Sequence, residues 1–158
     1  MTALRTQQCK LLEQQFRVLA SLQSGLDWSF DRLPTLTQGV VHVPATNERV
    51  AAIVHRFARL QDQFECALRH ARITLGEKGR SLNNVIGWAV GQDILPDTET
   101  WLMIRSLSNR LTHEYDLGSG QLPDLIALVR EAWETLTVCI ERFATTCRSL
   151  GLLETSVV

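Results

Sequence analysis

The sequence predicts an all-α protein, an antiparallel up-and-down four-helix bundle with one extra short helix. Three observations carry that prediction. Apolar residues recur at intervals of three and four over four long stretches. No stretch alternates with period two for long enough to build a sheet. Most links between the stretches are short, which favours neighbouring helices that run in opposite directions.

The opening stretch places Leu4, Leu11, Leu12, Phe16, Leu19 and Leu22 on one stripe with Gln, Glu and Arg between them. That spacing predicts a helix of about six turns, fading near Gly25. A long connection, residues 27–47, follows. Pro34, Gly39 and Pro44 interrupt any helix there, and "VVHV" reads as a short extended piece at most. Connections of that length inside a small domain are usually functional or mobile.

The clearest helix starts near Thr46, where Val50, Ile53, Phe57, Leu60, Phe64, Leu68, Ala71 and Leu75 form a near-heptad stripe closed by Gly76 and Gly79. A short helix is expected from Ser81 to Gln92, with Leu82, Val85, Ile86 and Val90 inward and Pro96 as its stop. Asp97 is placed to cap the next helix, and Glu99 sits in that helix's electropositive first turn. Its apolar side is Trp101, Ile104, Leu107 and Leu111, and "LGSGQ" ends it. Pro123 suits the first turn of the last helix. That helix's stripe is Leu125, Leu128, Ala132, Trp133, Leu136, Cys139, Ile140, Phe143, Cys147 and Leu150. Residues 152–158 are expected to be a loose tail.

At 158 residues the chain fits one domain, residues 1–158. A formal net charge of −1 excludes bulk attraction to nucleic acid or an anionic membrane, so any such contact needs a local patch. Fourteen of the sixteen cations are arginine, which suits bidentate phosphate contacts but is equally produced by coding bias. Cys9, Cys66, Cys139 and Cys147 form no CxxC pair and lie among apolar residues, as free thiols in a reducing cytoplasm would. "MTALRTQQCK" has no signal-peptide core, and no apolar run approaches the ~20 residues of a membrane span. A cytoplasmic protein without a membrane segment is expected.

The stretch "RSLSNRLTHEYD", residues 105 to 116, concentrates hydrogen-bonding groups on one helix. At about 100° per residue and with His113 at zero, Arg105 lies near about −80°, Asn109 near about −40° and Arg110 near about +60°. Leu107 and Leu111 fall on the opposite side. An imidazole flanked by two permanent cations and an amide suits gripping a phosphodiester and moving a proton. A solvated polar face with a histidine complementing the helix dipole gives the same pattern.

"WLMIRSLSNRLTHEYD" resembles the closing motif of the HepT-like proteins, within the wider HEPN group of α-helical nucleotide-associated domains. "RFARLQD", from Arg56 to Asp62, resembles their second-helix signature, and "VIGWAVGQDILPDTETW" resembles the region preceding their motif helix. The resemblance covers roughly residues 47 to 116. It implies the toxin or substrate-binding partner of a small nucleotidyltransferase, with metal-independent RNA cleavage in active members. It also implies a homodimer, with motif helices from two chains facing one cleft. The family pattern is Arg, a polar residue, then His with Tyr two positions on. Asn109, His113 and Tyr115 match it, whereas Ser108 stands where the family has Arg. Arg105 or Arg110 would then supply the guanidinium that stabilises the charged phosphorane. The catalytic candidates are therefore His113, Arg105, Arg110 and Asn109.

Asp62 is expected to orient Arg105 or His113 if its helix packs against the motif helix; Arg56 and Asp62 otherwise serve structural salt bridges. Tyr115 corresponds to the region that the partner enzyme nucleotidylates, or else it packs as a helix-end ring. His42, His55 and His70 have no partners at metal-ligand spacing, and HExxH is absent, so no metal is expected. GxxxxGK and GxGxxG are also absent, so no cofactor is expected. "GEKGRSLNN" is a basic loop that suits either phosphate or plain solvent. Trp28, Trp88, Trp101 and Trp133 are scattered singly, as core or interface residues are, rather than grouped as a stacking platform. Two readings stand beside the ribonuclease: a non-catalytic protein that binds nucleotide, RNA or a partner through the motif helix, and a scaffold whose polar face is merely solvated.

Overall fold

The computed structural model describes residues 2–118 and 120–154. It is all-helical, 80% helix, with no strand among the described residues. The helices are α1 (Ala3–Asp31), α2 (Gln38–Val41), α3 (Pro44–Thr74), α4 (Leu82–Gly91), α5 (Thr98–Asp116) and α6 (Leu122–Ser149).

The polar caps appear where the side chains call for them. Thr2 Oγ1 accepts from Arg5 N at 3.2 Å and Ser81 Oγ from Asn84 N at 3.2 Å. Asp97 accepts twice, from Thr100 N at 2.6 Å and from Thr100 Oγ1 at 3.1 Å. Each cap satisfies a backbone donor that the helix itself cannot. Pro44 and Pro123 occupy first turns, where no N–H is missed.

The core is centred on α3. Val50, Ile53, Phe57, Leu60, Phe64, Ala67, Leu68 and Ala71 are buried against α1, α4, α5 and α6. Phe64 is its hinge point: its ring meets Trp101 of α5 edge-on at 5.5 Å and Phe143 of α6 at 5.7 Å. Phe143 in turn lies 4.9 Å from Phe16 of α1. Such aromatic pairs add about 0.5–1.5 kcal/mol beyond the area they bury.

The first connection differs from expectation. Helix α1 does not fade at Gly25 but runs to Asp31, because Leu26, Ser29 and Phe30 are buried. Gly25 leaves room there for a side chain of α3: a Cβ on it would meet Arg56 Nε at 2.7 Å, so Arg56 would have to shift. Arg56 of α3 lies across it and donates to Gly25 O at 3.2 Å and to Ser29 Oγ at 2.6 Å. Trp133 Nε1 donates to Asp27 Oδ1 at 3.0 Å, tying the same end to α6. Tertiary contact overrides the weak helix propensity of glycine. The expected 27–47 loop shrinks to residues 32–37 and 42–43, with "VVHV" partly helical in α2 and Val41 buried.

Four smaller expectations also change. Leu4 and Leu11, placed on the α1 stripe, are 65% and 48% exposed. Leu128 is 46% exposed, the inward positions of that turn being Leu125, Ile126 and Val129. Leu152 and Leu153, assigned to the loose tail, are buried: Gly151 turns at φ 68° and Leu152 N bonds back to Cys147 O at 2.8 Å. The rest of that tail, residues 155–158, lies outside the described residues. In "GEKGRSLNN" the loop carbonyls are held from α3, Arg72 donating to Gly79 O at 2.6 Å and to Lys78 O at 2.8 Å.

Two substitutions test this account in urea or thermal melts. Asp97→Ala should lose about 1 kcal/mol with its cap. Gly25→Ala should destabilise although Ala is the better helix former by about 1 kcal/mol, since the new Cβ displaces the Arg56 side chain that bonds Gly25 O and Ser29 Oγ. A stabilised Gly25→Ala protein would contradict the clamp.

Candidate functional site

The face of α5 left to water is determined by the face that is buried. Trp101, Ile104, Ser108 and Leu111 turn into the core, so Leu102, Met103, Ser106, Asn109, Arg110 and His113 are exposed. Among the described residues, Asn109 and His113 have no side-chain hydrogen bond or ion pair. They lie one turn apart, about 6 Å along the axis. Their amide and imidazole can both address one small solute.

The two arginines diverge. Arg105 Nη1 lies 3.4 Å from Glu65 Oε2 on α3, and Arg69 Nη2 lies 3.5 Å from the other oxygen of the same carboxylate. Glu65 Oε2 is buried and accepts no properly aimed hydrogen bond, so its contact with Arg105 is coulombic only. Arg110 reaches the other way, donating from Nη2 to Gln121 Oε1 at 2.7 Å, just before α6. The guanidinium arms thus flank His113 on opposite sides, one held by α3 and the other by the residue that precedes α6. Within one chain they do not close on a common phosphate.

Ser108, where the family pattern has Arg, is 3% exposed and faces the core. A guanidinium there would be buried at high cost without a partner. Asp62, expected to steady Arg105 or His113, is exposed, and among the described residues its carboxylate has no bond or ion pair. Glu65, almost one turn further along α3, makes the contact to Arg105 instead. Glu65 and Arg69 stand at i,i+4 in the sequence, which signals their own pair and not the contact with Arg105. Arg56 lies away from the site, engaged with α1. Tyr115 is half-buried, its hydroxyl donating to Asn47 Oδ1 at 3.3 Å at the start of α3.

Beside this face, α5 and α6 enclose a groove of about 390 Å³ whose walls include Met103, Leu107, Leu128 and Ala132, with Arg110 and Glu131 at its polar edge. Among the described residues no group of three His, Cys, Asp or Glu side chains is placed to hold a metal ion, and no helix is long and apolar enough to cross a membrane. Comparison of the chain with protein-family models, with curated proteins and with solved structures finds no match.

The thiols separate by burial. Burial pushes Cys139 up to about 11 and Cys147 up to about 12, from an ordinary value of 9.0. Cys66, expected among the buried thiols, is exposed on α3. A disulfide reagent at pH 8 should label Cys66 first and leave Cys139 and Cys147 protected until the chain unfolds. Because folding raises both pKa values, their contribution to stability is complete below about pH 9 and is lost as pH rises towards about 12. Early labelling of Cys147 in the folded protein would contradict this.

Proposed function

We propose that this chain is a HepT-like, HEPN-type helical protein, the toxin or substrate-binding half of a pair with a small nucleotidyltransferase. In this reading the outer face of α5 binds a phosphate of RNA or nucleotide without cutting it. The four long helices form an antiparallel up-and-down bundle, with α4 as an extra short helix. Contact order supports that arrangement: Gly25 meets Arg56 while Gln15 meets His70, and Asn47 meets Tyr115 while Phe64 meets Trp101.

The observation that carries the reading is the pair Asn109 and His113, exposed and unengaged on the stretch that resembles the family motif. Arg105 and Arg110 flank the pair and supply the positive field. Binding is favoured over cleavage because cleavage needs a guanidinium held beside the imidazole as charge develops. Here the arms are tied to Glu65 and Gln121, and Ser108 faces the core. The metal-independent ribonuclease, with His113 as acid or base, is the second reading, favoured by the unengaged imidazole. It needs two chains with facing α5 helices, so that a guanidinium arrives from the second copy.

Purified protein in EDTA, mixed with a fluorescent RNA oligonucleotide, separates the readings. Binding without cleavage is expected, weakened about tenfold by His113→Ala or Arg110→Ala as charge-assisted hydrogen bonds are lost. Cleavage by the wild type but not by His113→Ala would replace the binding reading with the ribonuclease. Neither binding nor cleavage would contradict both. On co-expression with a small nucleotidyltransferase partner, mass spectrometry should find a nucleotidyl group on Tyr115 and none in Tyr115→Phe. An unmodified Tyr115 beside an active partner would contradict the pairing.

A further inference from the structure

The groove between α5 and α6 opens where the polar strip of α5 ends. With His113 at zero and about 100° per residue, Arg110 lies near about +60°, Met103 near about +80° and Leu107 near about +120°. Arg110 therefore borders both the strip and the groove. From it the groove runs back past Leu107 to Met103, about 10 Å along the helix axis. Its volume of about 390 Å³ falls in the range of sites that hold small organic ligands, which combine apolar walls with a few polar groups that fix orientation.

The walls and the polar groups describe what fits. Met103 and Leu107 stand on α5, and Leu128 and Ala132 stand on α6. Two apolar walls suit a flat ring that offers one face to each, and the Met103 thioether makes favourable contacts with aromatic rings. Glu131 lies on the α6 side, and among the described residues its carboxylate has no hydrogen bond or ion pair. Arg110 is bonded to Gln121, so two opposite charges line one groove without pairing with each other. A ligand that is anionic at one end and rich in N–H donors at the other would satisfy both.

A carboxylate takes two parallel N–H donors in a bidentate contact. Of the RNA bases, guanine alone sets two such donors side by side on one edge, at N1 and N2. Adenine and cytosine each set an N–H beside a bare ring nitrogen, which a carboxylate repels, and uracil sets its N–H between two carbonyls. We propose that the groove holds the guanine base of a nucleotide or of single-stranded RNA, read by Glu131, while its phosphate lies on the strip of Asn109 and His113. Sequence-specific RNA recognition reads unstacked bases on this edge. The place of the phosphate rests on the proposed function; the choice of guanine does not. Other bases stay in water, so a dinucleoside monophosphate without guanine touches the strip alone.

Calorimetric titration of the full chain with guanosine monophosphate, adenosine monophosphate and the two free nucleosides tests it. The guanine nucleotide should bind at least about tenfold more tightly than the adenine one, the discrimination of one bidentate contact. Glu131→Gln should abolish or reverse that preference, because a glutamine amide pairs bidentately with adenine. Its melting temperature should not change, since the carboxylate has no partner in the folded chain. Leu128→Glu, at a 46% exposed wall position, sets a charge against the ring face and should weaken the guanine nucleotide alone, by about tenfold. Equal affinity of the wild type for both nucleotides, or a preference that survives Glu131→Gln, would overturn the groove and leave the reading of α5 standing. Guanosine held as tightly as its monophosphate, and more tightly than adenosine, would support the groove and contradict the reading of α5. No binding of any of the four at millimolar concentration would overturn both. A guanosine-containing tetranucleotide bound more tightly than the mononucleotide would identify RNA as the source of the base, and equal affinity would identify the free nucleotide.

Discussion

The apolar stripe of α3, from Val50 through Phe64 to Ala71, is buried against four other helices, and that burial determines which face of α5 meets water. Magnitudes show why the stripe governs. Burying one Leu, Ile or Phe side chain is worth about 1.5–3 kcal/mol, while an ion pair at the surface contributes about 0–1 kcal/mol. Trp101, Ile104 and Leu111 therefore set the rotation of α5, and the contact between Arg105 and Glu65 follows from it. Once the helix is rotated so, Asn109 and His113 have no choice but solvent.

That rotation has a consequence for chemistry. Arg105 and Arg110 lie about 140° apart on the helix, so any orientation that exposes His113 sends them to opposite flanks. One chain can present an imidazole and an amide framed by cations, which is an arrangement for holding an anion. It does not present an imidazole backed by a guanidinium, which is what stabilising a phosphorane requires. With a whole-chain charge of −1, the proposed binding of an anion rests on this local frame.

Much of the fold was legible because it is local. The Asp97 and Ser81 caps, Pro123 in a first turn and the α3 stripe are written within a few residues of where they act. What escaped was decided at long range. Gly25 reads as a stop until Arg56, thirty-one positions on, is seen to occupy the space its side chain would take. Leu152 and Leu153 read as tail until the turn at Gly151 folds them onto the core. In the site the polar face of α5 was readable from periodicity, but its partner was not. Asp62 and Glu65 are both acids on α3, and only the register between α3 and α5 selects Glu65 for Arg105. Neither the caps nor the stripe encode that register.

The central claim is that the uncovered strip of α5 is where this protein meets a phosphate. Nuclear magnetic resonance of isotope-labelled protein, titrated with a dinucleoside monophosphate, tests it most directly. The account predicts saturable shifts confined to the Asn109 amide, the His113 ring and the guanidinium signals of Arg105 and Arg110, with the α3 core silent. Shifts centred elsewhere on the surface, or none at millimolar ligand, would contradict it.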